Sequence, residues 1–292
     1  MNSKENLMFW QMVSVEQKKL TRRKILWIEL AVVAAAAVFI PLVIYMASQS
    51  DSSNVVITTD GPVDDMFTWP SALNLGIGLA SGGGLGGLLI VILIGTLTAQ
   101  EYGWRTMQLW LSNGISRPVL LLAKFAIVLL PALLFVLAPF VTGALTTAVF
   151  TQNLQGSLPF AEVDWWQAAL SVLRTAYTLL PYAALTFLLA VASRSTVAAV
   201  GGGLAFTLLI EGVLMQLLGL VGGTWAKVGQ YLPAGLSNSL AALNRVSAEA
   251  GSSLVTPAGG VGAETAVIGI ALYTLLFVGL AVLAFRRQDL TG

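Results

Sequence analysis

The stretch KKLTRRKILWIELAVVAAAAVFIPLVIYMA, residues 18–47, decides how the rest of this chain is read. Five basic residues (Lys18, Lys19, Arg22, Arg23, Lys24) lead into Ile25–Ala47, a run whose one charged residue is Glu29. A helix needs about 20 apolar residues to cross a hydrocarbon core about 30 Å thick, so Ile25–Ala47 has the length of a crossing. The cluster of positive charge before it marks the side that stays in the cytoplasm. Signal peptides have a short basic start and a short apolar core. Here the lead-in carries Glu5, Glu16, Phe9 and Trp10, so the run is expected to be a retained span.

Working outward, the same test picks out Ala72–Ala99, Val119–Phe150, Trp166–Ala192, Thr196–Leu220 and Glu264–Phe285. The expected fold is an all-α polytopic membrane protein with six spans, residues 25–292, preceded by an N-terminal segment 1–24. The stretches outside the spans leave no room for a second folded domain. Composition agrees: 57% of the 292 residues are hydrophobic and 10% charged, against about 25% charged in soluble domains. Val119–Phe150 exceeds one crossing, and Pro131 and Pro139 predict a kink or tilt in it; Pro181 predicts a bend in the fourth span.

With the N-terminus inside, the inner flanks collect Lys4, Lys18, Lys19, Arg22, Arg23, Lys24, Arg105, Arg117, Lys124, Arg194, Arg286 and Arg287. The outer loops hold Lys227 and Arg245, and they carry the acids Asp51, Asp60, Asp64, Asp65, Glu162, Asp164, Glu249 and Glu264. Both termini are therefore expected in the cytoplasm. In segment 1–24, Phe9, Met12, Val13 and Leu20 share a helix face that Glu16 interrupts. The reading is an interfacial helix lying among anionic headgroups; the plain alternative is a solvated basic tail. The outer region 221–263 contains the run Trp225–Leu243, broken by Pro233. It reads either as short helices dipping into the outer leaflet or as a surface loop.

The chain has no Cys and no His, which removes thiolate sites, the commonest general base and the commonest metal ligand. No catalytic, cofactor or metal site is expected in it. The glycine-dense run Ser81–Gly87 lacks the Lys and Ser/Thr of a phosphate-binding loop. Gly78, Gly82 and Gly86, four residues apart, read as one smooth helix stripe for close packing, with substrate lining as the lesser reading; Gly201–Gly203 is a second small-residue point. Arg174 and Glu211 lie in adjacent spans at matched depth, about 12–14 Å in. They are expected to pair, because each intramembrane charge costs about 2.5–3.5 kcal/mol at a helix centre. Glu29, near the inner surface, is expected to reach a base such as Arg22 or Arg23.

The connection Glu101–Pro118 joins the second and third spans on the inner side. Trp104, Met107 and Leu111 fall on one stripe, with Arg105, Gln108 and Ser112 beside it. Asn113-Gly114 offers a helix stop and Pro118 a first-turn start. The expectation is a short helix over residues 101–114 with a polar cytoplasmic face; the alternative is a tight loop.

Those residues carry a resemblance. Glu101 … Arg105-Thr106 … Leu111-Ser112-Asn113-Gly114-Ile115-Ser116-Arg117 … Leu121-Leu122-Ala123-Lys124-Phe125 resembles the connection between the second and third spans of ABC-2 type permeases, the membrane subunits of type V exporter-like ABC transporters. The six-span plan, the N-terminal helix and the Tyr231-Leu232-Pro233 region are similar as well. Trp104-Arg105 stands where that family often has glycine before the threonine. The resemblance implies an exporter permease that docks separate ATPase subunits, which hold ATP and magnesium, and that pairs with a second permease copy, identical or related. Residues 101–114 would be the coupling helix, with Glu101, Trp104, Arg105, Gln108, Ser112 and Arg117 as ATPase contacts. A membrane lipid environment is expected, with no nucleic-acid partner. Frequent Ala and Gly with no Cys suit a bacterial inner membrane. An apolar path suits amphipathic, peptide or lipid-like cargo. The rival readings are an ion-driven secondary transporter, a membrane-embedded enzyme and a non-transport scaffold.

Overall fold

The computed structural model describes residues 3–48, 67–104, 106–112, 115–244, 246 and 260–288. All regular structure among them is helical. By length and composition, six segments can cross a membrane: Lys24–Ser48, Leu85–Gly103, Arg117–Gln155, Trp165–Ser193, Thr196–Val221 and Ala263–Arg286. The protein is thus a six-span helical membrane protein in outline.

The helices are α1 (Ser3–Thr21), α2 (Lys24–Ser48), α3 (Leu73–Leu79), α4 (Leu85–Gly103), α5 (Thr106–Ser112), α6 (Arg117–Ala126) and α7 (Leu129–Gln155). After a 3₁₀ turn at Phe160–Glu162 come α8 (Trp165–Thr178), α9 (Leu180–Ser193) and α10 (Thr196–Ala205). A π-helical segment, Phe206–Val213, leads into α11 (Leu214–Val221), and α12 (Gly223–Gln230), α13 (Pro233–Ala241) and α14 (Ala263–Arg286) complete the chain.

Proline sets two of the breaks. α7 begins two residues before Pro131 and α9 one residue before Pro181. A first-turn proline has no intrahelical bond to lose, so each chain restarts its helix there. Pro139, inside α7, is buried where α3 crosses it, and a Cβ on Gly76 of α3 would lie 2.7 Å from the Pro139 carbonyl oxygen. In the same helix, the Thr142, Thr146, Thr147 and Thr151 hydroxyls donate to carbonyls four residues back. Self-bonding of this kind spares a polar side chain the cost of lying unpaired in an apolar interior.

The glycine stripe is a correction. Gly78, Gly82 and Gly86 do not lie on one smooth helix, because α3 ends at Leu79 and α4 starts only at Leu85. Gly78 faces open space. Gly86 folds against the carbonyl of Ala80 in its own chain. Gly82 alone of the three presses on another helix: a Cβ there would sit 2.5 Å from Thr178 O and 2.6 Å from the Tyr182 ring. The Gly82 amide donates to Thr178 Oγ1 at 3.0 Å, so the interrupted backbone is satisfied by the hydroxyl at the end of α8. Consecutive glycines, each weak in a helix interior, let the chain break between α3 and α4 where that hydroxyl is offered.

α14 and α4 pack on α9, α2 and α3 on α7, α10 on α4 and α9, and α1 on α6. The segment after the fifth span folds back. The amide of Ala234, in the first turn of α13, donates to Glu211 Oε1 at 3.0 Å. Glu211 lies ten residues before the end of α11, about 15 Å along a helix. The described part of region 221–263 is helical and packs back on the bundle. Leu236 and Leu240 of α13 bury against Ala266 and Ile270 of α14.

Candidate functional site

At the end of the bundle where α1 packs, four charged side chains meet. Lys124 Nζ forms an ion pair with Glu101 and lies 2.9 Å from Glu16 Oε1. Lys19 Nζ lies 3.0 Å from Glu16 Oε1 and 3.7 Å from Glu101 Oε1. Glu16, Glu101 and Lys124 are buried, each under 10% exposed. Two carboxylates and two ammonium groups balance, and that balance allows the set to leave water.

Local sequence explains each placement. Met12, Glu16 and Leu20 are spaced by four in α1, so the face that buries Met12 and Leu20 must also bury Glu16. The apolar stripe of α1 is turned onto the chain's own core, with Phe9 and Val13 packed at its edge. Glu101 ends α4, where the helix dipole is unfavourable to an anion, and Lys124 ends α6, where it favours a cation. Burial pushes the Glu16 carboxyl up, but Lys124 and then Lys19 outweigh it and hold the group below the usual carboxylate range.

The cluster is tied to the connection between the second and third spans. Arg23 donates from Nη1 to Gln100 Oε1 at 3.0 Å, and its guanidinium lies 4.4 Å from the Trp104 ring centroid. Lys19 lies 5.6 Å from the ring of Trp110 in α5. Stacked cations of this kind are worth about 0.5–2 kcal/mol. A cavity of about 40 Å³ lies between, lined by Glu16, Lys19, Arg23, Thr98, Glu101 and Lys124. The α1–α2 elbow, the end of α4, α5 and α6 therefore form one charged joint.

The expected coupling residues separate on this geometry. Glu101 ends α4 and turns inward to Lys124, so the connecting helix is the shorter α5 and Glu101 is not a surface contact in this conformation. Arg117 is likewise committed: its Nη1 donates to the carbonyls of Phe285, Arg286 and Gln288, closing the end of α14. Trp104 and Ser112 are exposed, Met107 is buried and Leu111 half-buried. Arg105 and the stop Asn113-Gly114 lie outside the described residues, as does the side chain of Gln108.

Two further expectations are corrected. Arg174 and Glu211 do not pair: Arg174 donates to Leu243 O at 3.0 Å, while Glu211 accepts from Ala234. Each charge finds backbone from the returning outer region nearer than it finds the other. Glu29 is buried without a base, and neither carboxylate oxygen has a hydrogen-bond partner. The Arg23 proposed for it is held by Gln100 and Trp104 instead.

Sequence reasoning missed the contact of Glu16 with Lys124. The available signal was two opposite charges at apolar positions on the same membrane side, one on the face of α1 and one in the run Val119–Phe150.

A family model described as a protein of unknown function (DUF2705) matches residues 86–291, from the start of α4 to the end of the chain. No curated protein matches the chain.

Proposed function

We propose that this chain, which belongs to the DUF2705 family, is the membrane-spanning permease subunit of an ATP-driven exporter whose ATPase is a separate chain. The observation that carries the proposal is the joint of Glu16, Lys19, Glu101 and Lys124, which meets α5 through Lys19 and Trp110. A permease without a nucleotide-binding loop needs a cytoplasmic element that takes a push and passes it to the spans. Force applied to α5 would reach α4 through the adjoining turn, α6 through Lys124 and α1 through Glu16. Because a buried ion network has few alternative arrangements, it would transmit displacement rather than absorb it.

In this reading the exposed Trp104 and Ser112, with Arg105 and Gln108, meet the partner ATPase, which binds ATP and magnesium. Glu101 and Arg117 act as internal ties. A second permease copy completes the path, both termini face the cytoplasm of a bacterial cell, and the cargo is amphipathic or hydrophobic. The test is to express the chain with ABC ATPase subunits from the same genome, purify through a tag on this chain, and measure ATP hydrolysis in nanodiscs. The expected result is co-purification and stimulated hydrolysis that Trp104→Ala weakens. An ATPase that neither binds nor responds would overturn the proposal.

One observation favours a second reading, an ion-gradient transporter. The chain breaks at 80–84, between α3 and the second span, and α13 points its N-terminus at the carboxylate of Glu211. Discontinuous helices around a buried charge are the architecture of many secondary transporters. Cargo uptake into proteoliposomes driven by a sodium or proton gradient, with no ATPase present, would select it.

A further inference from the structure

The elbow between α1 and α2 carries more positive charge than its neighbours answer. Two bonds fix its turn: the Arg23 amide donates to Leu20 O at 3.0 Å, and Trp27 Nε1 donates to Thr21 O at 2.8 Å. Lys18, Arg22 and Lys24 are exposed, while Lys19 and Arg23 are half-buried. Among the described residues no carboxylate pairs with Lys18, Arg22, Arg23 or Lys24.

The charged joint does not supply the missing acid. Its two carboxylates, Glu16 and Glu101, are already matched by Lys19 and Lys124. Arg23 lines the same cavity of about 40 Å³ as those four residues, so its walls hold three cations and two acids. Arg23 is the surplus cation, and it is held in place. Its Nη1 donates to Gln100 Oε1 at 3.0 Å, and its guanidinium lies 4.4 Å from the Trp104 ring centroid. Gln100 and Trp104 are neutral, so they orient the guanidinium without balancing its charge. A guanidinium has five N–H donors in a planar fork that matches phosphate oxygens.

Position selects the source of that phosphate. Lys24 is the first residue of a segment of bilayer length, so the elbow stands at the edge of the hydrocarbon layer, at the depth of lipid headgroups. Trp27 and Ile28 are exposed just inside that edge, where acyl chains begin. Leu20, Ile94 and Leu97 give the cavity an apolar wall as well. A soluble anion would use the charge alone. A zwitterionic lipid brings its own cation and leaves the surplus in place. An anionic phospholipid answers both the charge and the apolar flank.

We propose that the α1–α2 elbow holds the phosphate of one anionic phospholipid, with Arg23 as its principal contact and Arg22 and Lys24 beside it. A headgroup held there braces α1 against the start of the first span and makes the charged joint responsive to lipid composition. The proposal does not rest on the ATPase reading.

The test is native mass spectrometry of the purified full chain in mild detergent, offered equal amounts of phosphatidylglycerol and phosphatidylcholine with the same acyl chains. One phosphatidylglycerol should be retained in preference to phosphatidylcholine. Arg23→Gln should cut that preference roughly fivefold, the effect of one basic residue beside an anionic headgroup layer. If that variant fails to fold, Arg22→Gln combined with Lys24→Gln, both at exposed positions, takes its place and should cut the preference by at least as much. Arg287→Gln, which removes an exposed cation just past α14, should leave it unchanged. Equal retention of the two lipids by the wild-type chain overturns the proposal, as does a preference unchanged in the elbow variants. An equal loss in Arg287→Gln overturns it too, because the chain would then be responding to total charge. Displacement of the lipid by millimolar inorganic phosphate would assign the site to a soluble anion and overturn it equally.

Discussion

Replacing Lys124 with methionine tests the charged joint most directly. Methionine keeps most of the unbranched length and removes the charge. The Lys124 side chain is 6% exposed and reaches two carboxylates whose side chains are 10% and 8% exposed. Breaking a buried pair from one side costs about 3–5 kcal/mol, because the partner charge stays buried. Lys19 remains 3.0 Å from Glu16 and 3.7 Å from Glu101 and offsets part of that loss, so the expected cost is about 3 kcal/mol. Lys19→Met should cost only about 1 kcal/mol or less, since its side chain is 34% exposed and water screens the pair. Adding Glu16→Gln to Lys124→Met removes one uncompensated carboxylate and should recover part of the loss, giving a favourable coupling energy in the cycle. The assay is reversible unfolding in mixed detergent micelles, followed by tryptophan fluorescence. Equal costs for Lys124→Met and Lys19→Met, or no recovery in the double variant, would refute the buried network.

Acid should undock α1. Glu16 is held below the usual carboxylate range when folded, so its stabilisation is present at neutral pH, above its unfolded value, and is lost as pH falls through the lowered folded value. The chain has no cysteine, so a spin label on Gln11→Cys is unique, and its spectrum should sharpen over that acid window; Glu16→Gln should flatten the response. Gly82→Ala, which drives a Cβ to 2.5 Å from a carbonyl oxygen, should lose about 1–3 kcal/mol. Gly78→Ala, with open space around it, should be neutral or gain up to about 1 kcal/mol, as thermal melts of the two variants would report. Arg117→Ala removes the donor that closes α14 and should cost about 1–2 kcal/mol. Its signature is faster hydrogen exchange confined to the last turn of that helix.

Sequence alone determined the features that local chemistry sets. Six apolar runs of bilayer length became six spans because hydropathy is a property of a window. Pro131 and Pro181 marked real helix restarts because a missing N–H acts on its own turn. The short helix between the second and third spans, α5, is legible from its stripe, and it starts five residues later than the expected 101–114. The partners of buried groups were decided only in three dimensions. Glu16 and Lys124 stand 108 residues apart and meet because α1 packs on α6. Arg174 and Glu211 looked like a pair by depth, yet a returning α13 supplies Glu211 with a nearer backbone donor, and Leu243 takes Arg174. The Gly78, Gly82 and Gly86 spacing fits a helix equally well, and the hydroxyl of Thr178 tips it into a break. In a low-dielectric interior a charge or a free amide takes whichever partner the fold brings within about 3 Å, and a linear sequence does not record that distance.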